Sequence, residues 1–232
     1  MKTRLLLAVV VCALPLTALA KPPVAPLKTD QARLGYAIGF QIGHNLKEQG
    51  ITKIDTRALA QAVQDVMTGA KARLSPGQMQ AAVMKFQRAR LKERAAAAKQ
   101  NLKAGKAFRA AFKKKGVVEL PDGLQYKVLH KGKGPKPTAT DTVVVNYRGT
   151  LPNGTEFDSS YKRGQPSEIP VGRVIPGWQE VLKRMPVGSK WQVVIPPKLA
   201  YGAKGAGNTI GPDQTLVFDI ELLSIKKVAG TN

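Results

Sequence analysis

Cysteine is almost missing from this chain: among 232 residues there is only Cys12. Histidine is nearly as scarce, with His44 and His130 alone. A disulfide framework or a Cys/His metal cage is excluded for want of ligands. A Cys–His nucleophilic pair would have to use the single thiol. The histidines, one in a helical stretch and one in a Lys/Gly-rich loop, have no Ser/Asp pattern beside them and read as surface or packing residues. Acids are few, 15 Asp+Glu against 37 Lys+Arg, and no two carboxylates have a spacing that suggests acid/base work. No Gly-rich turn leads into a helix through Lys-Ser/Thr, so nucleotide binding lacks its motif. No apolar run reaches the ~20 residues of a membrane span. What is present is a 43% apolar fraction, enough for a core, and a net charge of +22.

The first twenty residues have the layout of a secretory signal peptide. Lys2 and Arg4 precede the apolar run LLLAVVVCALPL, and Thr17-Ala18-Leu19-Ala20 supplies a small-x-small cleavage site. Cys12 has Val9-Val10-Val11 before it and no small neighbour, which argues against a lipoprotein anchor. Cleavage after Ala20 would leave Lys21–Asn232 without cysteine, as suits an oxidising compartment. Thiol chemistry is then excluded.

Residues 21–115 read as an all-α domain. Asp30 can cap a first helix with Leu34, Ile38, Ile42 and Leu46 as its apolar stripe, ending at Gly50. Gly35, Gly39 and Gly43 repeat on an adjacent line. Each costs about 1 kcal/mol in a soluble helix, which close approach of another helix would offset. Asp55 or Thr56 opens a second helix that stops at Gly69, with Leu59, Val63, Val66 and Met67 inward. Ser75-Pro76-Gly77-Gln78 is a capping box with proline at the first position. The helix it opens can run to about Lys114, roughly 55 Å at 1.5 Å per residue. Between Leu91 and Leu102 only Ala95–Ala98 breaks the charge, so a solvated stalk is expected there. Two short helices and half a rod bury little surface, and homodimerisation through Leu34–Met67 is the expected remedy.

From Gly116 the pattern becomes that of strands: Gly123–Leu129, Thr142–Tyr147, Trp191–Ile195 and Thr215–Ile225. Asn153-Gly154 suits a type I′ hairpin turn, and Ile175–Leu182 forms one short amphipathic helix. The fold class is α+β: helices first, then an antiparallel β-sheet wrapped around one short helix over residues 116–232. This half holds a concentrated aromatic and aliphatic set with one acid in its midst: Tyr147, Phe157, Asp158, Val174, Ile175, Trp178, Tyr201, Ile210 and Phe218.

Five strings in this half follow one another in order: Val145-Asn146-Tyr147-Arg148-Gly149-Thr150-Leu151, Asn153 through Ser160, Val174-Ile175-Pro176-Gly177-Trp178, Leu199-Ala200-Tyr201-Gly202, and Leu216 through Leu222. Together they resemble the FKBP-type peptidyl-prolyl cis-trans isomerases, from about Val117 to Ile225. The helical half resembles the N-terminal domain of the dimeric periplasmic members, the macrophage infectivity potentiator (Mip) and FkpA type. The resemblance implies a proline pocket with Trp178 as floor and Tyr147, Phe157 and Phe218 as walls, completed by Val174 and Ile210. It implies that the Ile175 N–H and the Tyr201 hydroxyl hold substrate carbonyls, and that Asp158 lies close to the twisting bond. It further implies a Gram-negative periplasmic location, with outer-membrane association or secretion as alternatives, proline-containing exported polypeptides as substrates, no cofactor and no metal, and rapamycin-type macrolides as inhibitors. Ser167 stands where many single-domain members carry an aromatic, and Ala206-Gly207 at the tip of the Lys204–Gly211 loop also departs from them.

Such chemistry needs no nucleophile. Resonance holds a peptide bond planar by ~18–20 kcal/mol, and X–Pro isomers, close in energy, exchange over tens to hundreds of seconds. The planar amide is the more charge-separated form, so a dry pocket favours the twisted one relative to water, and hydrogen bonds to flanking carbonyls select it. A binding module acting as a chaperone is the reading from another class. Nucleic-acid binding is disfavoured by where the charge sits. Residues 21–115 carry 20 basic and 5 acidic residues, while 116–232 carry 15 and 10. Twelve of the bases fall in 81–115, where Phe86, Phe108 and Phe112 are the only aromatics for stacking. A solvated stalk, or one attracted to an anionic membrane surface, fits better.

Overall fold

The computed structural model describes residues 26–226; the stretch read as a signal peptide, 1–20, lies outside the described residues. They form two compact units divided between Thr52 and Lys53.

The first unit carries α1 (Asp30–Glu48). Its cap is Thr29, one residue earlier than expected: the Thr29 hydroxyl accepts from the Ala32 N–H. Asp30 instead places its carboxylate in the first turn, at the positive end of the helix dipole. No side chain of α1 is buried. Leu34, Ile38 and Phe40 are 61%, 54% and 66% exposed. The glycine line at 35, 39 and 43 meets nothing within 4 Å among the described residues.

The second unit opens with α2 (Thr56–Met67), capped by the Asp55 carboxylate, which accepts from the Arg57 and Ala58 N–H groups. It stops ahead of Gly69, whose φ of 68° only glycine adopts without strain. Next comes α3 (Pro76–Phe112), opened by the reciprocal Ser75–Gln78 capping box. Its middle is less solvated than its composition predicts. Ala97, Ala98 and Asn101 are half-buried, and Gly105 is buried against Thr215. This contact is made without large apolar side chains, by small residues that let the helix backbone come close.

The sheet has seven strands: β1 (Val117–Glu119), β2 (Gln125–His130), β3 (Thr142–Thr150), β4 (Glu156–Ser159), β5 (Ser167–Pro170), β6 (Lys190–Ile195) and β7 (Leu216–Lys226). Their order is β1-β2-β6-β7-β3-β4, every pairing is antiparallel, and β5 pairs with the first half of β3 while β4 takes the second. Side chains of period two, such as Val143 and Val145 or Leu216, Phe218, Ile220 and Leu222, face one core. Against it lies α4 (Pro176–Leu182), with Trp178, Val181 and Leu182 buried. Gly177 permits this approach, because a Cβ there would stand 2.5 Å from Cγ2 of Ile195 on β6.

The hairpin between β3 and β4 differs from the expected type I′ turn. The Gly154 N–H donates to the Leu151 carbonyl, and of the residues between the strands only Gly154 takes a positive φ, 86°. Pro152, with φ fixed near −65°, sets a negative-φ turn and leaves the left-handed position to the glycine that follows.

Candidate functional site

The β3–β4 pair, β5, α4 and the loop after β6 enclose a cleft of about 300 Å³. Its floor is Trp178 in the first turn of α4, 4% exposed. Tyr147 meets Trp178 edge-on at 5.2 Å between ring centroids, and Phe218 does the same at 5.2 Å. Phe157 in turn stands edge-on to Phe218 at 5.5 Å. Such T-shaped contacts set a positive ring edge against a negative face and fix each ring's orientation. They require Gly149: a Cβ on it would lie 2.7 Å from the Phe157 ring and 2.8 Å from that of Phe218.

Asp158 sits at one end of this aromatic box, with both carboxylate oxygens engaged. Oδ2 accepts from the Tyr147 hydroxyl at 2.5 Å, and Oδ1 pairs with Nη1 of Arg163 at 2.5 Å. Nη2 of Arg163 donates to the Tyr147 hydroxyl and to the Ser167 hydroxyl, both at 2.9 Å, and the guanidinium lies 5.4 Å from the Tyr147 ring centroid. Burial raises the Asp158 pKa, but the hydrogen bonds from Tyr147 and Arg163 and the Arg163 charge outweigh it, holding the carboxyl below its usual value of 3.8. Tyr147 is pushed up, first by burial and then by its bond to Asp158. A depressed carboxyl contributes stability that is present above its unfolded pKa and lost as pH falls through the folded one. Isomerisation is therefore expected to show no titration of this group between about pH 5 and about pH 8, and to fall only below the ordinary carboxylate range. A pH profile of kcat/KM checks this; a step near neutrality that disappears in Asp158→Asn would contradict it.

Two donors at the rim are unengaged. Ile175 is the N-cap of α4, and its carbonyl accepts from Trp178 and Gln179. Its own N–H has no acceptor among the described residues, and Pro176 contributes no N–H. Tyr201, 41% exposed, lines the cleft, and its hydroxyl likewise has no partner among the described residues.

Of the nine residues singled out from sequence, Tyr147, Phe157, Asp158, Val174, Ile175, Trp178, Tyr201 and Phe218 line this cleft together. Ile210 does not. It is 9% exposed and packs in the same core cluster as Tyr147, Trp178 and Phe218, its backbone paired with Ala206. Three residues were missed. Ile169 lines the cleft two positions after Ser167 on β5, which strand alternation could have revealed. Arg173 also lines it. Arg163, in a 3₁₀ turn five residues beyond Asp158, has a spacing that matches no regular period, and no sequence signal marks it. Ser167 is engaged by Arg163 and does not line the cleft.

A half-open β-sheet wrapped on one helix, with an aromatic cleft at the helix N-terminus, defines a class of protein. The model of the family described as FKBP-type peptidyl-prolyl cis-trans isomerase matches residues 134–223, and that of the domain amino terminal to FKBP-type peptidyl-prolyl isomerase matches 31–128. The chain belongs to the FKBP-type peptidyl-prolyl cis-trans isomerases, and its activity is the interconversion of cis and trans bonds preceding proline. More particularly, it is similar to "Outer membrane protein MIP" of Legionella longbeachae, at 45% identity over 99% of this chain and 100% of that protein. It is 42% identical to "Peptidyl-prolyl cis-trans isomerase Mip" of Coxiella burnetii, over 87% of this chain and 90% of the relative. Among solved structures it is similar to FkpA from Escherichia coli, with a TM-score of 0.60 and 42% identity over 86% of this chain and 98% of that one.

Proposed function

We propose that the cleft receives an extended polypeptide with its prolyl ring over Trp178, between Tyr147, Phe157 and Phe218. The Ile175 N–H and the Tyr201 hydroxyl hold the carbonyls on either side of the twisting bond. The observation that carries this reading is the pairing of a fully aromatic floor and wall with two unengaged donors at the rim. Binding strips water from the amide, which disfavours the planar, charge-separated form, and the donors favour the rotated geometry. Asp158 is a fixed charge here: with both oxygens occupied, it orients Tyr147 and sets the field near the bond, and it takes no proton.

Tyr201→Phe removes one hydrogen bond and is expected to lower kcat/KM about tenfold, the equivalent of a single bond of ~1 kcal/mol or slightly more. Asp158→Leu leaves Arg163 and the Tyr147 hydroxyl without their acceptor and is expected to cost at least as much. A proline-limited refolding assay reads both. Unchanged refolding with aggregation still suppressed would make the protein a chaperone that uses the cleft only to bind. Rapamycin-type macrolides are expected to compete with the peptide for the aromatic box.

The substrates we propose are exported polypeptides of the Gram-negative periplasm. The layout of residues 1–20 and the cysteine-free chain after Ala20 support this. We further propose that Lys21–Lys115 is a homodimerisation domain and stalk, and Gly116–Asn232 the isomerase domain. The exposed apolar side chains of α1 and α2 support a second copy as their cover: Leu34, Ile38, Phe40, Val66 and Met67. The basic face of α3 supports contact with an anionic membrane surface, tested by retention on anionic vesicles before and after its lysines become glutamines.

A further inference from the structure

One face of α3 is docked on the loop that follows Tyr201. Arg94, Asn101 and Gly105 are seven and four residues apart, so they share a helix face. Nη2 of Arg94 donates to the carbonyls of Ala203 at 2.8 Å and Lys204 at 2.5 Å. Nδ2 of Asn101 donates to the carbonyl of Pro212 at 2.8 Å. Gly105 closes the contact against Thr215, where a Cβ would stand 2.2 Å from Oγ1 and 2.9 Å from Cβ. The helix thus grips both limbs of the segment from Gly202 to Thr215, and it does so mainly through main-chain carbonyls.

That segment needs holding. Gly202, Gly205, Gly207 and Asp213 all take positive φ, with values of 52°, 62°, 54° and 53°. Its own backbone bonds close it at the neck, where the Gly205 and Asp213 N–H groups donate to the Gly202 carbonyl, and at the tip, through the Ala206–Ile210 bridge. Four positive-φ residues over twelve positions make a loop with other accessible conformations. The neck also adjoins Tyr201, whose carbonyl accepts from the Gly205 N–H and whose ring lines the cleft. Movement of the neck therefore moves the tyrosine.

We propose that Arg94 and Asn101 are positioning residues of the isomerase site. By fixing the neck of the Gly202–Asp213 loop they hold Tyr201 over the cleft, so α3 sets the fraction of molecules ready to bind substrate. This inference rests on the role assigned to Tyr201 above. A loop released from α3 samples conformations that do not bind, and the apparent affinity falls by the competent fraction while turnover of bound substrate is kept.

The test uses the full chain. In Arg94→Ala/Asn101→Ala, exchange NMR on an X–Pro peptide is expected to show KM raised about three- to tenfold with kcat within about twofold. Amide hydrogen exchange at Ala203–Ile210 should accelerate with the thermal midpoint of the sheet little changed. Arg94→Lys, which keeps a donor, should recover part of the affinity. Combined with Tyr201→Phe, the double substitution should have almost no additional effect, because both act through one hydroxyl. Additive effects, or loop exchange identical to the parent, would overturn the proposal. If Tyr201→Phe alone changes nothing, the role of Tyr201 is wrong and the positioning role goes with it. The loop-exchange measurement still reports separately whether α3 holds the neck.

Discussion

Gly149→Val is expected to remove most of the isomerase activity while the helices of the chain remain folded. Gly149 lies next to the end of β3, opposite Phe218 on one side and Asp158 on the other. A Cβ there meets Cε2 and Cζ of Phe157 at 2.7 Å and Cε1 of Phe218 at 2.8 Å, closer than carbon atoms pack. The Phe218 ring has no room to retreat inward. Phe218 is 5% exposed and rests against Trp178, so the displaced rings must swing into the cleft. Overpacking of this kind costs about 1–3 kcal/mol, a fall in Tm of roughly 4–8 °C per kcal/mol for a domain near 100 residues. The kinetic loss should be larger, since displacing binding groups by about 1 Å can cost ~10²-fold. Gly149→Ala should lie between parent and valine in both measurements. Parent-like kcat/KM in the valine variant would mean that the aromatic box does not hold the substrate.

The second large effect concerns α1 and α2, none of whose described residues is fully buried. In α1 the aliphatic stripe of Leu34 and Ile38, the glycine line of 35, 39 and 43, and the stacked Tyr36–Phe40 pair follow one another around the helix. A helix apolar around most of its circumference is one that sits inside a larger core. Ile38→Asp with Phe40→Asp is therefore expected to convert a dimer wholly to monomer in equilibrium sedimentation. Burying a side chain of that size contributes about 1.5–3 kcal/mol, and a buried, unpaired carboxylate adds a penalty of several more. Activity on a short X–Pro peptide should be unchanged, whereas refolding of a long client should slow if two sites act on one chain. A parent protein that is already monomeric would remove the dimer reading, and with it the explanation of the glycine line.

Much of the fold was legible because it follows from local signals. The Ser75–Gln78 capping box, the glycine after α2 and the strands at Thr142–Tyr147, Trp191–Ile195 and Thr215–Ile225 each depend on a few adjacent residues, and each stands in the structure as read. The readings that moved were those in which two local rules compete. Asp30 and Thr29 both suit a cap, and the threonine holds that place. Asn153-Gly154 favours one turn and Pro152 another, and the fixed φ of proline decided it. In the site, eight of the nine residues singled out from sequence line one cleft. Ile210 packs in the same core cluster as Tyr147, Trp178 and Phe218, with its backbone paired to Ala206.

From the sequence alone came the scarcity of cysteine, histidine and acids, the change from helices to strands near Gly116, and the set of aromatics around one acid. These are matters of inventory and local period, which a chain carries before it folds. Tertiary structure alone decided that Arg163 occupies Asp158, that Ile169 rather than Ser167 lines the cleft, and that the middle of α3 is docked through Arg94, Asn101 and Gly105. Those partners are five, two and about a hundred residues apart, and the last contact is made with main-chain carbonyls. A carbonyl carries no side-chain identity, so nothing in the order of residues could have announced it.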